Sequence, residues 1–294
     1  MSALTAAAGT DDMAGGLLAM LLGVALALLA AGYGRGVHEL WARRGVGDVL
    51  PGWRVTAFGA GLLTVLAAQS GPLTALAERG LAGHMTQHML LLLVAGPLLA
   101  AGAAGLPLTL ACPRTARRRV ARLRAAAAGR WLRRPVVVAL VAGGGQTVVL
   151  WFWHLPVPYA AAERNPVLHV LEHACFVASA WLLWAPLLGA ARQRVPAPAG
   201  MLLLIATMLP ATALGAVLTF APRPIYPPEV LGADPLTDQQ LAGLLMWAPM
   251  DVVALVVTLV LFLRWLLSLQ RQRPERVTSP ETGARLAATE GVVS

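Results

Sequence analysis

The chain has 294 residues, 57% of them hydrophobic and 13% charged, where an ordinary soluble domain carries about 25% charge. That balance excludes disorder over most of the length, because disorder needs low hydrophobicity and dense charge, and it leaves too little polar surface to clothe a soluble globular enzyme. The net charge of +9 then belongs to a polytopic membrane protein, where basic excess marks cytoplasmic loops and nucleic acid is not the expected partner.

Seven apolar runs follow one another, each close to the ~20 residues that a bilayer core requires. They cover residues 13–33, 55–73, 81–106, 135–153, 166–188, 200–220 and 241–266. The fold expected is an all-α polytopic bundle of seven transmembrane helices in a lipid bilayer. Residues 1–12 read as a short external tail, 13–267 as the seven-helix domain and 268–294 as a flexible cytoplasmic tail. No basic residue precedes the first run, whereas Asp11 and Asp12 do, so it reads as a retained helix and not as a cleaved signal peptide. Pro97, Pro210 and Pro249 lie inside runs, which predicts kinked helices whose freed carbonyls find other partners.

All 23 basic residues are arginine, and their distribution sets the orientation. The connections after the first, third, fifth and seventh runs carry 20 of them, and the alternate connections carry only Arg79, Arg164 and Arg223. The positive-inside rule places the arginine-rich side in the cytoplasm, the N-terminus outside and the C-terminus inside. The stretch from Arg114 to Arg134 reads as an amphipathic interfacial segment held by anionic lipid. Cys112 and Cys175 form no CxxC pair, so neither a disulfide framework nor a zinc finger is expected.

This topology sorts the histidines. His38 falls in the first cytoplasmic loop. His84 and His88 open the third run, His154 ends the fourth, and His169 and His173 open the fifth, all at the outer face. Each HxxxH pair shares one side of its helix, and the second member lies ~6 Å deeper than the first. An imidazole at that depth needs a partner. Two facing pairs make a sensible ligand set for copper, zinc, iron or haem iron. His84, His88, His154, His169 and His173 are therefore the candidate metal ligands. Glu172 can ligate or orient, and Gln87, Asp238, Gln239 and Gln240 join the same layer as candidate cofactor-binding residues. Thioethers at Met85 and Met89 would favour Cu(I), although ordinary packing accounts for at least one of them. Met246 and Cys175 are near the layer without an assigned role. Asp251 lies half-way along the seventh run, where an ionisable group is a functional candidate.

Three motifs in order resemble the CtaG family of cytochrome c oxidase assembly factors associated with caa3-type oxidases. They are GHMTQHMLLLLVAGPLL (83–99), WHLPVPYAAAERNPVLHVLEHACFVASAWLLWAPLLG (153–189) and TFAPRPIY (219–226) followed by LTDQQLAGLLMWAP (236–249). The resemblance runs from about Thr64 to Leu267. The stretch AGPLLAAGAAGLPL, which continues past the first motif, is longer and richer in alanine than the family's pattern. The resemblance implies a multi-pass protein of the bacterial plasma membrane that is needed to build a haem-copper oxidase. It also implies an oxidase subunit as partner and copper as the cargo. By position the family's motif residues are His84, Gln87, His88, His154, His169, Glu172, His173, Asp238, Gln239, Gln240 and Trp247.

Two rival classes remain open from the residues themselves. Paired histidines across two helices could hold haem, although no CxxCH is present for covalent attachment. A histidine-box membrane metalloenzyme would need more histidines than five, facing the cytoplasm. The expectation is a non-enzymatic metal handler whose affinity falls as pH drops through the imidazole range near about 6.5.

Overall fold

The computed structural model describes residues 2–126, 134–190 and 194–277. Among them all regular structure is helical, which lets each hydrocarbon-buried segment satisfy its own backbone. The elements are α1 (Ser2–Arg44), α2 (Gly52–Ala68), α3 (Gly71–Ala77), α4 (Leu81–Ala101), α5 (Gly105–Ala111) and α6 (Arg114–Ala125). After them come α7 (Pro135–Trp153), α8 (Pro156–Arg164), α9 (Pro166–Leu188), α10 (Ala197–Phe220), a 3-10 turn (Pro228–Val230) and α11 (Pro235–Val277).

Five helices are long and apolar enough to cross a membrane singly: α1 over Gly15–Arg44, α4, α9, α10 and α11 over Pro235–Arg271. Two bent pairs meet the same test jointly: α2 with α3 at 50°, and Val137–Trp153 with α8 at 71°. These pairs correspond to the second and fourth of the apolar runs and extend past them, to Ala77 and Arg164. Both bends fall where proline dictates. Pro72 and Pro156 lack an N–H and are tolerated in a first turn, so a new helix begins at each. Side chains such as Leu28, Leu140 and Phe220 stand about 70% exposed, an outward apolar surface that fits a lipid bilayer.

Several boundaries differ from the apolar runs. Helix α4 stops at Ala101, ahead of a turn in which Ala103 has φ 49°. Helix α1 begins at Ser2, so helix extends through the segment read as an external tail. Helix α11 continues to Val277, ten residues into the expected cytoplasmic tail, while residues 278–294 lie outside the described residues. The basic segment forms α6 as far as Ala125, and residues 127–133 of it also lie outside.

Helix α4 is the most enclosed of the spans. One apolar cluster, with Met85, Leu92, Phe176 and Trp184, lies on its side toward α7 and α9–α11. A second, with Tyr33, Phe58, Leu91 and Leu99, lies toward α1 and α2. The chain passes through a π-helical turn at Leu91–Ala95, directly before Pro97. Pro97 cannot donate to the i−4 carbonyl and crowds it, and the wider turn absorbs that clash. Gly96 permits the contact with α9, because a Cβ there would stand 2.5 Å from the Ala180 Cβ. The π turn begins three residues after His88.

Two charged groups expected in loops or in lipid have defined partners. Arg54, counted among the loop arginines, is 8% exposed. Its guanidinium donates to the carbonyls of Ala101 (2.6 Å), Leu188 (3.3 Å) and Gly189 (3.3 Å), at the C-terminal ends of α4 and α9. Asp251 on α11 accepts from the Thr212 hydroxyl on α10 at 2.8 and 3.0 Å, which supplies the partner that its depth demands.

Candidate metal centre

Helix α4 brings His84 and His88 to one end of the bundle, and α9 brings His169 and His173 to the same end. The start of α9 is fixed by Asn165, whose side-chain oxygen accepts from Val167 N and Leu168 N at 2.9 and 3.3 Å. That cap sets the rotational phase of the helix, so Glu172 and His173 turn inward together. The start of α4 is fixed from outside. Asp238 at the beginning of α11 accepts from Leu81 N (2.7 Å), Ala82 N (3.1 Å) and Gly232 N (2.8 Å). Gly80 is needed for this approach: its φ is 148°, and a Cβ there would stand 2.6 Å from the Asp238 carboxylate. Replacing Asp238 by Ala is expected to lower stability by about 2 kcal/mol, read as a lower midpoint in thermal unfolding of detergent-solubilised protein. Asp238→Asn keeps one accepting oxygen, enough for Leu81 N and Gly232 N, and should retain part of it.

His84, His88, Glu172 and His173 are all buried, and one ligand atom from each lies within 4.8 Å of the others. Ring centroids are 4.4 Å apart for His84 and His88, 5.2 Å for His88 and His173, and 5.7 Å for His84 and His173. Glu172 is fully buried, with Oε1 3.7 Å from His88 Nε2. Seven buried atoms in this group have no hydrogen-bond partner: His84 Nε2, Gln87 Oε1, both His88 ring nitrogens, both Glu172 oxygens and His173 Nε2. Native interiors leave few such atoms, and each carries a desolvation cost. Their concentration at one spot is the defining feature of the site.

The ring nitrogens turned away from this spot are held. Glu163 Oε1 lies 2.7 Å from His84 Nδ1, so Nδ1–H donates to the carboxylate and the lone pair is left on Nε2. This is the carboxylate–histidine arrangement that orients metal-binding imidazoles. Gln69 Nε2 lies 2.7 Å from His173 Nδ1. With the amide N–H donating, the ring proton of His173 sits on Nε2. With the amide turned over, Oε1 accepts from Nδ1–H and Nε2 is free to ligate. Gln69 therefore selects the tautomer. Gln69→Leu should weaken metal affinity 10- to 100-fold, and Gln69→Glu, which can only accept, should preserve or raise it. Chelator competition on the purified variants measures both.

A second, more exposed group overlaps the first: His84, Glu163 and His169. His169 Nδ1 is 3.7 Å from Glu163 Oε1, and each side chain is 28% exposed. His154 lies beside the cluster, with its ring centroid 5.4 Å from that of His88. It is not among the converging ligand atoms, because its nitrogens face Leu150 O and Met85 Sδ.

The remaining expected cofactor-binding residues have other partners. Gln87 Nε2 donates to Ala68 O at 2.8 Å, which leaves its oxygen as the group's only amide atom at the cluster. Gln239 Oε1 accepts from Ile225 N and Tyr226 N, and Gln240 Nε2 donates to Ala221 O. With Asp238, these side chains fasten the connection between α10 and α11 and the start of α4. Tyr226 in that connection donates to His154 O at 2.6 Å. Burial, reinforced by Glu172, holds its phenol far above the usual range, so it stays a donor. Met89 and Met246 pack in the apolar core, with Cys175 against it. Trp247 Nε1 lies 3.3 Å from the Thr219 hydroxyl. Glu163 and Gln69 were not singled out from sequence. The visible signal for Glu163 was an acid six residues before His169, separated from it by the helix-restarting Asn165–Pro166. An apolar cavity of about 330 Å³ between α1, α2, α4 and α9 reaches the cluster through Gln69 and His173.

A family model described as cytochrome c oxidase caa3 assembly factor (Caa3_CtaG) matches residues 31–268. The chain belongs to this family. The match covers most of the sequence and begins some fifty residues before the first of the recognisable motifs, within α1. It takes in every residue of both histidine groups. No curated protein and no solved structure matches the chain. As a Caa3_CtaG member the protein is a cytochrome c oxidase assembly factor built on membrane-type helices, with a buried His/Glu cluster at one end of its bundle.

Proposed function

We propose that this Caa3_CtaG protein binds copper at the His84–His88–Glu172–His173 cluster and passes it to an oxidase subunit during assembly. The observation that carries the reading is the group of seven unpartnered buried polar atoms on five residues. In a low-dielectric bundle such atoms oppose folding, and a cation that engages most of them removes the penalty. Three imidazoles and a carboxylate suit a divalent first-row ion, and within that series Cu(II) binds most tightly. Two ligands on one ion at about 2.1 Å each stand at most about 4.2 Å apart. A set already within 4.8 Å closes by small side-chain movements.

The cargo reading also needs a way out. The overlapping His84–Glu163–His169 group is partly exposed, which gives a departing metal a second ligand set nearer the surface. The arginine distribution supports reading this end as the non-cytoplasmic one, in a bacterial plasma membrane. The role is delivery and not catalysis.

Metal and pigment analysis of detergent-purified protein tests the proposal. The expected result is copper at one equivalent or more, lost when His84, His88 and His173 are replaced together, with no Soret absorption. A Soret band would assign the site to haem, and an absence of bound copper after loading would remove the reading.

A further inference from the structure

Met85 and His154 face each other through two atoms that cannot form a hydrogen bond. His154 Nδ1 lies 2.7 Å from Leu150 O. A carbonyl oxygen only accepts, so Nδ1 carries the ring proton, and in the neutral imidazole Nε2 then carries a lone pair. Nε2 lies 3.3 Å from Met85 Sδ, and a thioether has no proton to give. A doubly protonated ring would supply an N–H, but it would bury a cation, and among the described residues no carboxylate pairs with His154. The two side chains are 0% and 2% exposed. His154 is also pinned, because its carbonyl accepts from the Tyr226 hydroxyl at 2.6 Å while its ring is tied to Leu150. Two convergent soft lone pairs held rigidly out of water form a ligand pair that lacks an acid.

We propose that Met85 Sδ and His154 Nε2 form a Cu(I) subsite beside the main cluster, with His88 as the third ligand shared between the two. The proposal rests on the copper reading above and adds the oxidation state and a second position. Imidazole with thioether selects Cu(I) over the divalent ions that a His/Glu set takes. Bonds of about 2.0 Å to nitrogen and about 2.3 Å to sulfur, with the two ligand atoms 3.3 Å apart, give an angle at the metal of about 100°. That is close to tetrahedral. His88 has both ring nitrogens unpartnered, and its neutral ring offers one lone pair at a time, so by exchanging tautomer it can serve one position or the other.

X-ray absorption on the full-length protein loaded anaerobically with Cu(I) tests this. The expected result is one sulfur scatterer at about 2.3 Å, replaced by selenium in selenomethionine-labelled protein, which requires no substitution and no refolding. In Met85→Leu, close to volume-conserving, the sulfur signal should vanish. Cu(I) affinity should drop at least tenfold in that variant, with Zn(II) affinity changed less than twofold. Copper bound through nitrogen and oxygen alone in the wild type would overturn the subsite and leave the main cluster standing. Protein that takes up no copper in either oxidation state would overturn both.

Discussion

His88→Leu should abolish tight metal binding and oxidase maturation while leaving the metal-free protein at least as stable as the wild type. The two halves of this expectation come from the same geometry. His88 is fully buried, and both its ring nitrogens lack partners. Its ring centroid lies within 5.4 Å of His84, His154 and His173, and Glu172 approaches it at 3.7 Å. Among the described residues its contacts join the His84–Glu172–His173 cluster to His154. Disturbing only an outer partner of a metal ligand costs 10- to 100-fold in affinity, so deleting the central ligand should cost at least 100-fold. In the metal-free protein the imidazole contributes two desolvated polar atoms and no hydrogen bond. A similar-sized apolar side chain removes that cost, as replacement of buried polar groups by apolar ones often does. A residue present for packing would behave in the opposite way, with stability lost and metal retained. Thermal unfolding of the metal-free variant, copper titration, and oxidase activity of membranes that carry it give the three readouts. Normal oxidase activity in this variant would remove the cluster from the assembly function.

Much of this site is legible in the chain because helix geometry is periodic. His84 with His88 and His169 with His173 must share faces at a spacing of four, and alternation of the arginine-rich connections puts both pairs at one end. The spacing does not reveal what each polar side chain bonds to. Asp238, Gln239 and Gln240 looked like site residues because they sit at the right depth, yet their acceptors and donors are backbone groups of residues distant in sequence. Depth is a one-dimensional coordinate, and partners are settled by rotation about the helix axis and by loop path. Gln69 and Glu163 were missed for the complementary reason. Each lies at a proline-driven break, between α2 and α3 or at the end of α8, where the chain leaves its helical register and periodicity stops informing. The Met85–His154 pairing joins α4 to the end of α7 and depends on a tautomer set by Leu150. Residue types alone do not fix that.

Arg54→Ala should be the most destabilising single change at the end of the bundle remote from the histidines. Arginines in membrane proteins are commonly read as topology markers in water, and sequence position alone puts Arg54 in that class. Its guanidinium is instead buried, and it bridges α2 to the terminal carbonyls of α4 and α9. The last carbonyls of a helix have no partner within it and carry the negative end of the macrodipole. A fixed cation answers both needs, and burial at the junction of three helices limits screening by salt. Each hydrogen bond to a charged group is worth about 1.5 to 3 kcal/mol. The loss of three, partly offset by relief of the buried charge, should cost about 3 kcal/mol. Arg54→Lys should recover little, because an ammonium lacks the planar fork that reaches carbonyls on two helices at once. The same end of α4 receives the Tyr33 hydroxyl on Gly102 O at 2.9 Å, so the damage should spread to the packing of α1. Increased proteolysis and a lower unfolding midpoint for Arg54→Ala and Arg54→Lys, with metal stoichiometry unchanged in whatever protein remains folded, would separate this clasp from the metal centre. A wild-type midpoint in Arg54→Ala would mean that these carbonyls are satisfied without the guanidinium.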